Sequence, residues 1–470
     1  MIYKKMMIFA VLLLLFGMTI VPNINAGDKQ NTKEFQGLTN SNFQTYKLLI
    51  ITPEKFAVHL KELRTHKENM GVSTNLVTLD EIYGNVSNPG RDDAEKIKYF
   101  IKDAIESWGI EYVLLIGGKN GQFNSWTLPP RYIGIGNSWE KQILSDLYFA
   151  DIYDENGSFS SWDSDNDGKF LEWYTGEQPE DKYIDLTPDI AVGRLPCRNI
   201  IEVIIIVNKI IRYEKTAKGK PWFKDMVAIA GDTYPEFQNP DWAGNEGEYY
   251  AERAFENMTG FNPVKLYTSE GTLTGWEDSI AAINKGCGFV YFVGHGSAIS
   301  WATHYPNSKN WTTSFYVRHM SKFMNFGKLP VCVVSGCHNN QFDITIFNLF
   351  NETKKMHGEA GVECWGWRMT RKFFGGSIAT IGCSALGHTK EDKVLFKGGI
   401  NELEVQFFKE YGQNGVDVLG DTWKAAISWY VDTYPVPWDE ELTQDAWVDA
   451  QVPCTWTLLG DPSLKIGGYS

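Results

Sequence analysis

Two reactive side chains stand where apolar runs break off. Residues 288–298 read GFVYFVGHGSA, so five apolar residues, Phe289 to Val293, end in Gly294-His295-Gly296-Ser297. Forty-two residues beyond His295, the run KLPVCVVSGC ends in Cys337. A thiol beside an imidazole loses its proton more readily, and the thiolate attacks acyl carbons. The imidazolium can then return a proton to a leaving amine. The alternative for each is structural: a core strand followed by an incidental histidine, and a buried, inert cysteine.

A second cluster has ligand character. SWDSDNDGKFLEW places Asp163, Asp165 and Asp167 at alternating positions, with Gly168 next and Lys169 and Glu172 following. Alternating carboxylates converge on a hard cation where glycine permits the turn, and calcium is the ion expected outside the cell. An EF-hand wants a glutamate at its twelfth position; here that residue is Tyr174, and Glu172 comes two residues early. The loop is EF-hand-like, and the expected ligands are Asp163, Asp165, Asp167, Lys169 and Glu172. Its alternative is a solvated acidic turn.

These groups need elements to hold them. YKLLIIT, VSTNLVTL and EYVLLIGG read as strands. PEKFAVHLKELRTHKENMG between them reads as an amphipathic helix, and DDAEKIKYFIKDAIESWGI as a helix with Ile97, Ile101, Ala104, Ile105 and Trp108 on one face. The rhythm restarts after TAKGKPW with the strands MVAIAGD, VKLY, GFVYFVG, KLPVCVVSGC and GGSIATIGCS. Strands alternating with helices predict parallel sheets with right-handed crossovers. The fold class is α/β, with two adjoining parallel-sheet subdomains. Residues 1–26 read as a signal peptide, 27–45 as a flexible leader and 46–218 as the amino-terminal subdomain carrying the calcium-loop insertion. Residues 219–390 form the second subdomain, and 391–470 a carboxyl-terminal extension of two helices and the strand TWTLLG packed upon it. His295 and Cys337 then share the carboxyl edge of the second sheet, where open α/β sheets gather functional groups.

The chain has 470 residues, 43% hydrophobic and 14% aromatic, enough for packed interiors. Its net charge of −14 excludes a general nucleic-acid binder. Lys4 and Lys5, the apolar run MMIFAVLLLLFGMTIV and Ala26 make an export signal, with an uncleaved anchor as the alternative. No membrane contact beyond that segment is expected. Seven cysteines in an oxidising compartment leave at least one unpaired within the molecule, which suits a free Cys337. Their spacings do not resemble a zinc site, and five Asn-x-Ser/Thr sequons, at Asn85, Asn156, Asn257, Asn310 and Asn351, fit an exported surface.

An apolar strand into His-Gly, then another into a small residue and Cys, resembles the cysteine-peptidase clan of caspases, legumains and gingipains. YKLLIITPEKF, GIEYVLLIGG, SDLYFADIYD, PDIAVGRLPCR, INKGCGFVYFVGHGS, VCVVSGCHNNQFD and LLGDPSLKI follow, in order, the landmarks of the gingipain family, peptidase family C25. The resemblance implies an exported cysteine endopeptidase acting on protein or peptide substrates through a thioester intermediate. It implies His295 as the catalytic histidine, Cys337 as the nucleophile, and the N–H groups of Gly296 and Cys337 as the oxyanion hole. Asp146 in SDLYFAD matches a recurrent family aspartate and is the candidate third acid, with Glu363 as alternative. The structural role for Asp146 is a turn or cap. Relatives also bind calcium; no organic cofactor is implied.

The segment between His295 and Cys337 is long and aromatic, as for a lid or substrate wall. His338 follows Cys337, either perturbing the thiol or sitting on the surface. The immunoglobulin-like domain and secretion-tail domain of well-known members are not expected here, and the acidic pocket residue of arginine-specific relatives has no clear counterpart. A non-catalytic exported binding protein on the same fold, or a latent peptidase with one target, are the competing functions.

Overall fold

The five-residue runs that read as strands are apolar at every position because they are covered on both faces, as parallel strands must be. In the computed structural model, residues 45–136, 139–173, 178–235, 244–390, 397–438 and 443–470 are described. The expected signal peptide and leader, Tyr174 and the expected boundary near residue 391 lie outside them.

The strands, in chain order, are β1 (Leu48–Thr52), β2 (Thr74–Thr78), β3 (Tyr112–Ile116), β4 (Arg131–Ile133), β5 (Ile143–Ser145), β6 (Ala191–Leu195), β7 (Asp225–Ala230), β8 (Asn262–Tyr267), β9 (Phe289–Val293), β10 (His295–Ser297), β11 (Ser300–Ala302), β12 (Phe315–Tyr316), β13 (Val331–Ser335), β14 (Ala379–Cys383) and β15 (Trp456–Leu459). A four-stranded parallel sheet has the order β2-β1-β3-β6. A six-stranded sheet has the order β15-β14-β13-β9-β7-β8, parallel except that β15 runs against β14. Two small antiparallel sheets, β4-β5 and β10-β11-β12, sit beside the larger ones.

Residues 45–470 form one compact unit. The edge strands β6 and β15 lie against each other, close enough that a Cβ on Gly193 would stand 2.4 Å from the Gly460 carbonyl. The carboxyl-terminal segment is therefore more than an attachment, because β15 completes the second sheet. Among its described residues it also carries three helices rather than two, Ile400–Gly412, Leu419–Thr433 and Gln444–Thr455. The single helix expected from PEKFAVHLKELRTHKENMG is interrupted. A 3-10 turn, Val58–Leu60, separates Glu54–Ala57 from Lys61–Asn69. Helix Asp93–Trp108 forms as expected, with Ile97, Ile101 and Ala104 buried and Asp92 capping it through the Glu95 amide at 2.8 Å.

Buried charges tie the layers together where apolar packing cannot supply direction. Lys67 lies 2.7 Å from Glu214 and 2.8 Å from Asp461, joining an early helix to the chain's last turns. Lys209, on helix Ile200–Thr216, donates to the carbonyls of Lys372, Gly375 and Ser377 at 2.8–3.0 Å, and to that of Thr370. Four carbonyl oxygens thus meet one buried ammonium, which offsets its desolvation.

Candidate active site

The register of the second sheet decides where the reactive groups stand. β9 and β13 are parallel neighbours, with Val293 opposite Ser335. His295 and Cys337 each follow that pair by two residues, so both turn out beyond the same edge. Chain order reverses between β7 and β9, which makes this a switch point where connections diverge and leave a crevice. Burial of each Leu- or Phe-sized side chain in such strands stabilises by about 1.5–3 kcal/mol. Phe289 and Phe292, fully buried, hold the histidine's strand rigid.

Glycine is required at 296 for space. A Cβ there would lie 2.4 Å from Asn339 Oδ1 and 2.6 Å from the Cys337 carbonyl oxygen. Asn339 donates through Nδ2 to the Ser297 and Ser300 carbonyls at 2.9 and 3.0 Å, clamping the histidine's hairpin to the turn that follows the cysteine. Asn340 does the same toward β14 and β15, on the Thr380 and Thr457 carbonyls. His338 holds a left-handed φ of 60°, an unusual conformation for a side-chain-bearing residue in the turn after Cys337.

His295 Nε2 is 2.7 Å from the Thr233 carbonyl oxygen. A carbonyl only accepts, so Nε2 donates its N–H to it. Trp311 and His304 flank the ring, with centroids 5.2 and 5.5 Å from it, so the segment between the reactive residues supplies an aromatic wall.

All seven cysteines are unpaired, and Cys337 is half-buried where the other six are buried. The other six are inert by position, burial pushing each thiol upward. Gly387 N–H donates to Cys337 Sγ at 3.4 Å, which favours a thiolate. Burial outweighs it, and Glu140 adds in the same direction, so this thiol too is raised. Glu140 comes from the β4-β5 hairpin of the amino-terminal half. It accepts from Leu386 N at 2.9 Å and is pushed up to about 7 by burial. His338 is buried against Gln341 and Glu140, at 3.1 and 3.4 Å, and burial lowers it to about 4.

A family model described as peptidase family C25 matches residues 41–467. The chain belongs to peptidase family C25. Gingipain R2 of Porphyromonas gingivalis is 20% identical over 430 residues, covering 89% of this chain and 46% of that protein. Lys-gingipain of the same organism is 25% identical over 210 residues, 44% of this chain and 10% of its own. The chain thus spans less than half the length of these curated relatives. Among solved structures, the Arg-specific cysteine proteinase gingipain R superposes with a TM-score of 0.60 at 18% identity, over 91% of this chain and 79% of the other. A complex of the pro- and mature domains of Porphyromonas gingivalis RgpB gives 0.59 at 18%, over 89% and 79%. At that identity the likeness is one of fold, and the fold is the expected mixed α/β architecture.

Within this C25 chain both acids considered for the third role have arginine partners. Both Asp146 oxygens are held by Arg194, at 2.7 Å each, and Arg194 also serves the Gly117, Leu128 and Pro129 carbonyls. Asp146 is a buried structural partner in the amino-terminal half. Glu363 is likewise committed, to Arg368 at 3.1 Å and to Arg371. His295 Nε2 meets a main-chain oxygen, which any residue type could have supplied.

The acidic loop is also revised. Carboxylate oxygens of Asp163, Asp165 and Asp181 lie within 4.8 Å of one another, with Asp163 and Asp181 buried. Lys169 turns its ammonium onto Asp167 and Glu172, at 2.7 and 3.0 Å, drawing those two carboxylates away from the cluster. Arg91 offsets part of the charge on Asp163 at 2.6 Å. Asp181, outside the motif, was not anticipated. Burial first, then Asp163 and Asp165, push it up to about 6.

Proposed function

We propose that this protein is an exported cysteine endopeptidase with Cys337 as nucleophile and His295 as general base. The observation that carries the reading is the β9–β13 register, which delivers the least buried cysteine and a histidine held by the Thr233 carbonyl to one edge. His295 Nδ1 takes the thiol proton as substrate enters, and the sulfur bonds to the peptide carbonyl carbon. The resulting oxyanion is received by the N–H groups of Gly296 and Cys337, whose backbones approach closely because 296 and 336 are glycines. Collapse breaks the C–N bond, and the Nδ1 proton goes to the leaving amine. Water, deprotonated by the same nitrogen, then hydrolyses the thioester.

In the same reading Asp163, Asp165 and Asp181 hold a structural calcium ion. Three crowded carboxylates, one pushed up to about 6, are what a divalent cation relieves. The ion would pin the loop and lies apart from the chemistry.

A raised Cys337 thiol supports a second reading, a latent peptidase whose thiol is activated by one target. The test is a peptide library varied at the residue before the scissile bond, with calcium and reductant, comparing wild type with Cys337→Ala. Cleavage lost in the variant supports the endopeptidase. A thiol that labels rapidly while nothing is cut supports latency. Neither cleavage nor labelling overturns both.

A further inference from the structure

The loops entering β13 and β14 lie at the edge of the second sheet opposite Cys337, and they are unusual. Met324, Phe326, Phe373 and Phe374 are 55%, 45%, 58% and 43% exposed. The three phenylalanines form one cluster, with centroids 5.0 Å apart for Phe326–Phe374 and 4.3 Å for Phe373–Phe374. Contiguous exposed aromatics on a folded protein mark a contact surface.

The fold holds this cluster rigidly. Asn325, buried between the loops, donates to the Gly376 carbonyl at 2.8 Å and accepts from the Gly376 amide at 2.9 Å. Gly376 has φ +77°, a conformation suited to the tight turn that lifts Phe373 and Phe374 outward. Lys209 fixes the same turn from below through the carbonyls described above. Apolar tips on a pinned base cannot fold back to cover themselves.

The surrounding charge identifies the occupant. Segments 317–331 and 365–378 contain no Asp or Glu, although the whole chain carries −14. Lys322 and Lys328 are exposed, Lys328 reaches the Lys285 carbonyl, Arg212 adjoins Gly327, and Lys372 lies 5.8 Å from the Phe374 ring centroid. Aromatic tips ringed by amines suit an anionic lipid surface: the rings enter the headgroup boundary and the amines meet the phosphates. A second copy on a two-fold axis would face one lysine ring with another. Among the described residues no helix is long and apolar enough to cross a membrane.

We propose that Met324, Phe326, Phe373 and Phe374, with their lysine rim, form a docking surface for anionic membranes that holds the carboxyl edge of the sheet, with Cys337, pointing away from the lipid. The proposal goes beyond the peptidase reading and is tested without activity.

The experiment is hydrogen exchange on the full chain, with vesicles of phosphatidylcholine containing about 30% phosphatidylglycerol. Amides of 322–328 and 372–377 should exchange at least about fivefold more slowly with these vesicles than without. Neutral vesicles, high salt, or the pair Phe373→Ser and Phe374→Ser should abolish that protection while the melting temperature stays near wild type. Unchanged exchange in both loops overturns the proposal, as does equal protection in the double variant. Protection that instead follows protein concentration without lipid would mean self-association, and overturns it too.

Discussion

The Nε2 of His295, just beyond β9, lies 2.7 Å from the main-chain oxygen of Thr233, just beyond β7, at the switch point of the second sheet. A carbonyl only accepts, so that contact places a hydrogen on Nε2. Burial raises the Cys337 thiol, so the proposed reaction begins with removal of its proton.

The first prediction concerns Glu140. Its carboxyl is pushed up to about 7, and its negative charge opposes a Cys337 thiolate. Alkylation of Cys337 by iodoacetamide should go on climbing at pH values where that of an ordinary thiol has levelled off. Glu140→Gln removes the charge only where Glu140 is ionised. Labelling should then speed up about two- to fivefold at pH 8 and stay unchanged at pH 5. Equal rates at both pH values would remove Glu140 from the account of the thiol.

Glu404 carries the second prediction. This carboxyl is wholly buried, takes the Tyr291 hydroxyl and Asn401 as donors, and is pushed up to about 8 by burial. Its folded value lies above its unfolded one, so the native state holds the extra proton between them. The stability it contributes is complete below about pH 4.5 and lost as pH rises through about 8. The wild-type melting temperature should fall from pH 5 to pH 9. Glu404→Gln, which cannot ionise, should show a shallower fall. Parallel curves would count against it.

Much of this was legible because strands covered on both faces write themselves as continuous apolar runs. β9 and β13 could be read with their punctuating residues, and so could the edge that His295 and Cys337 share. The ion pair of Asp146 was not legible because SDLYFAD is local, whereas its partner Arg194 arrives on β6, across the first sheet. Asp181 lies beyond the loop motif that drew attention to Asp163. The Thr233 carbonyl had no sequence signal at all, since every residue type carries one. Asn339 stood in plain sight after Cys337, but its role depends on β10 and β11 pairing, which no periodicity announces.

The third prediction separates the two versions of the acidic loop. If Asp163, Asp165 and Asp181 hold calcium, the ion should raise the melting temperature and a chelator should reverse it. Asp181→Asn should abolish most of that response. Asp167→Asn, which removes a carboxylate already held by Lys169, should preserve most of it. The reverse ranking would restore the EF-hand-like ligand set.

The fourth prediction is Gly296→Ala, the smallest change that tests the contact between the two reactive turns. The backbone at 296 needs no special dihedral, so the new methyl acts only through space. It would stand 2.4 Å from Asn339 Oδ1 and 2.6 Å from the Cys337 carbonyl oxygen. The side chain could yield, but the carbonyl belongs to the nucleophile's own peptide and can move only with the turn. Relief therefore has to come from displacing the His295 hairpin relative to Cys337. A shift of about 1 Å in such a pair costs roughly 100-fold in rate, while the core under both strands is untouched. The expected result is a fall of about 100-fold in kcat/KM with a melting temperature near wild type. Adding Asn339→Gly should not restore activity, because the carbonyl clash remains. Near-normal kcat/KM in Gly296→Ala would mean that the two turns are not in the catalytic register described here.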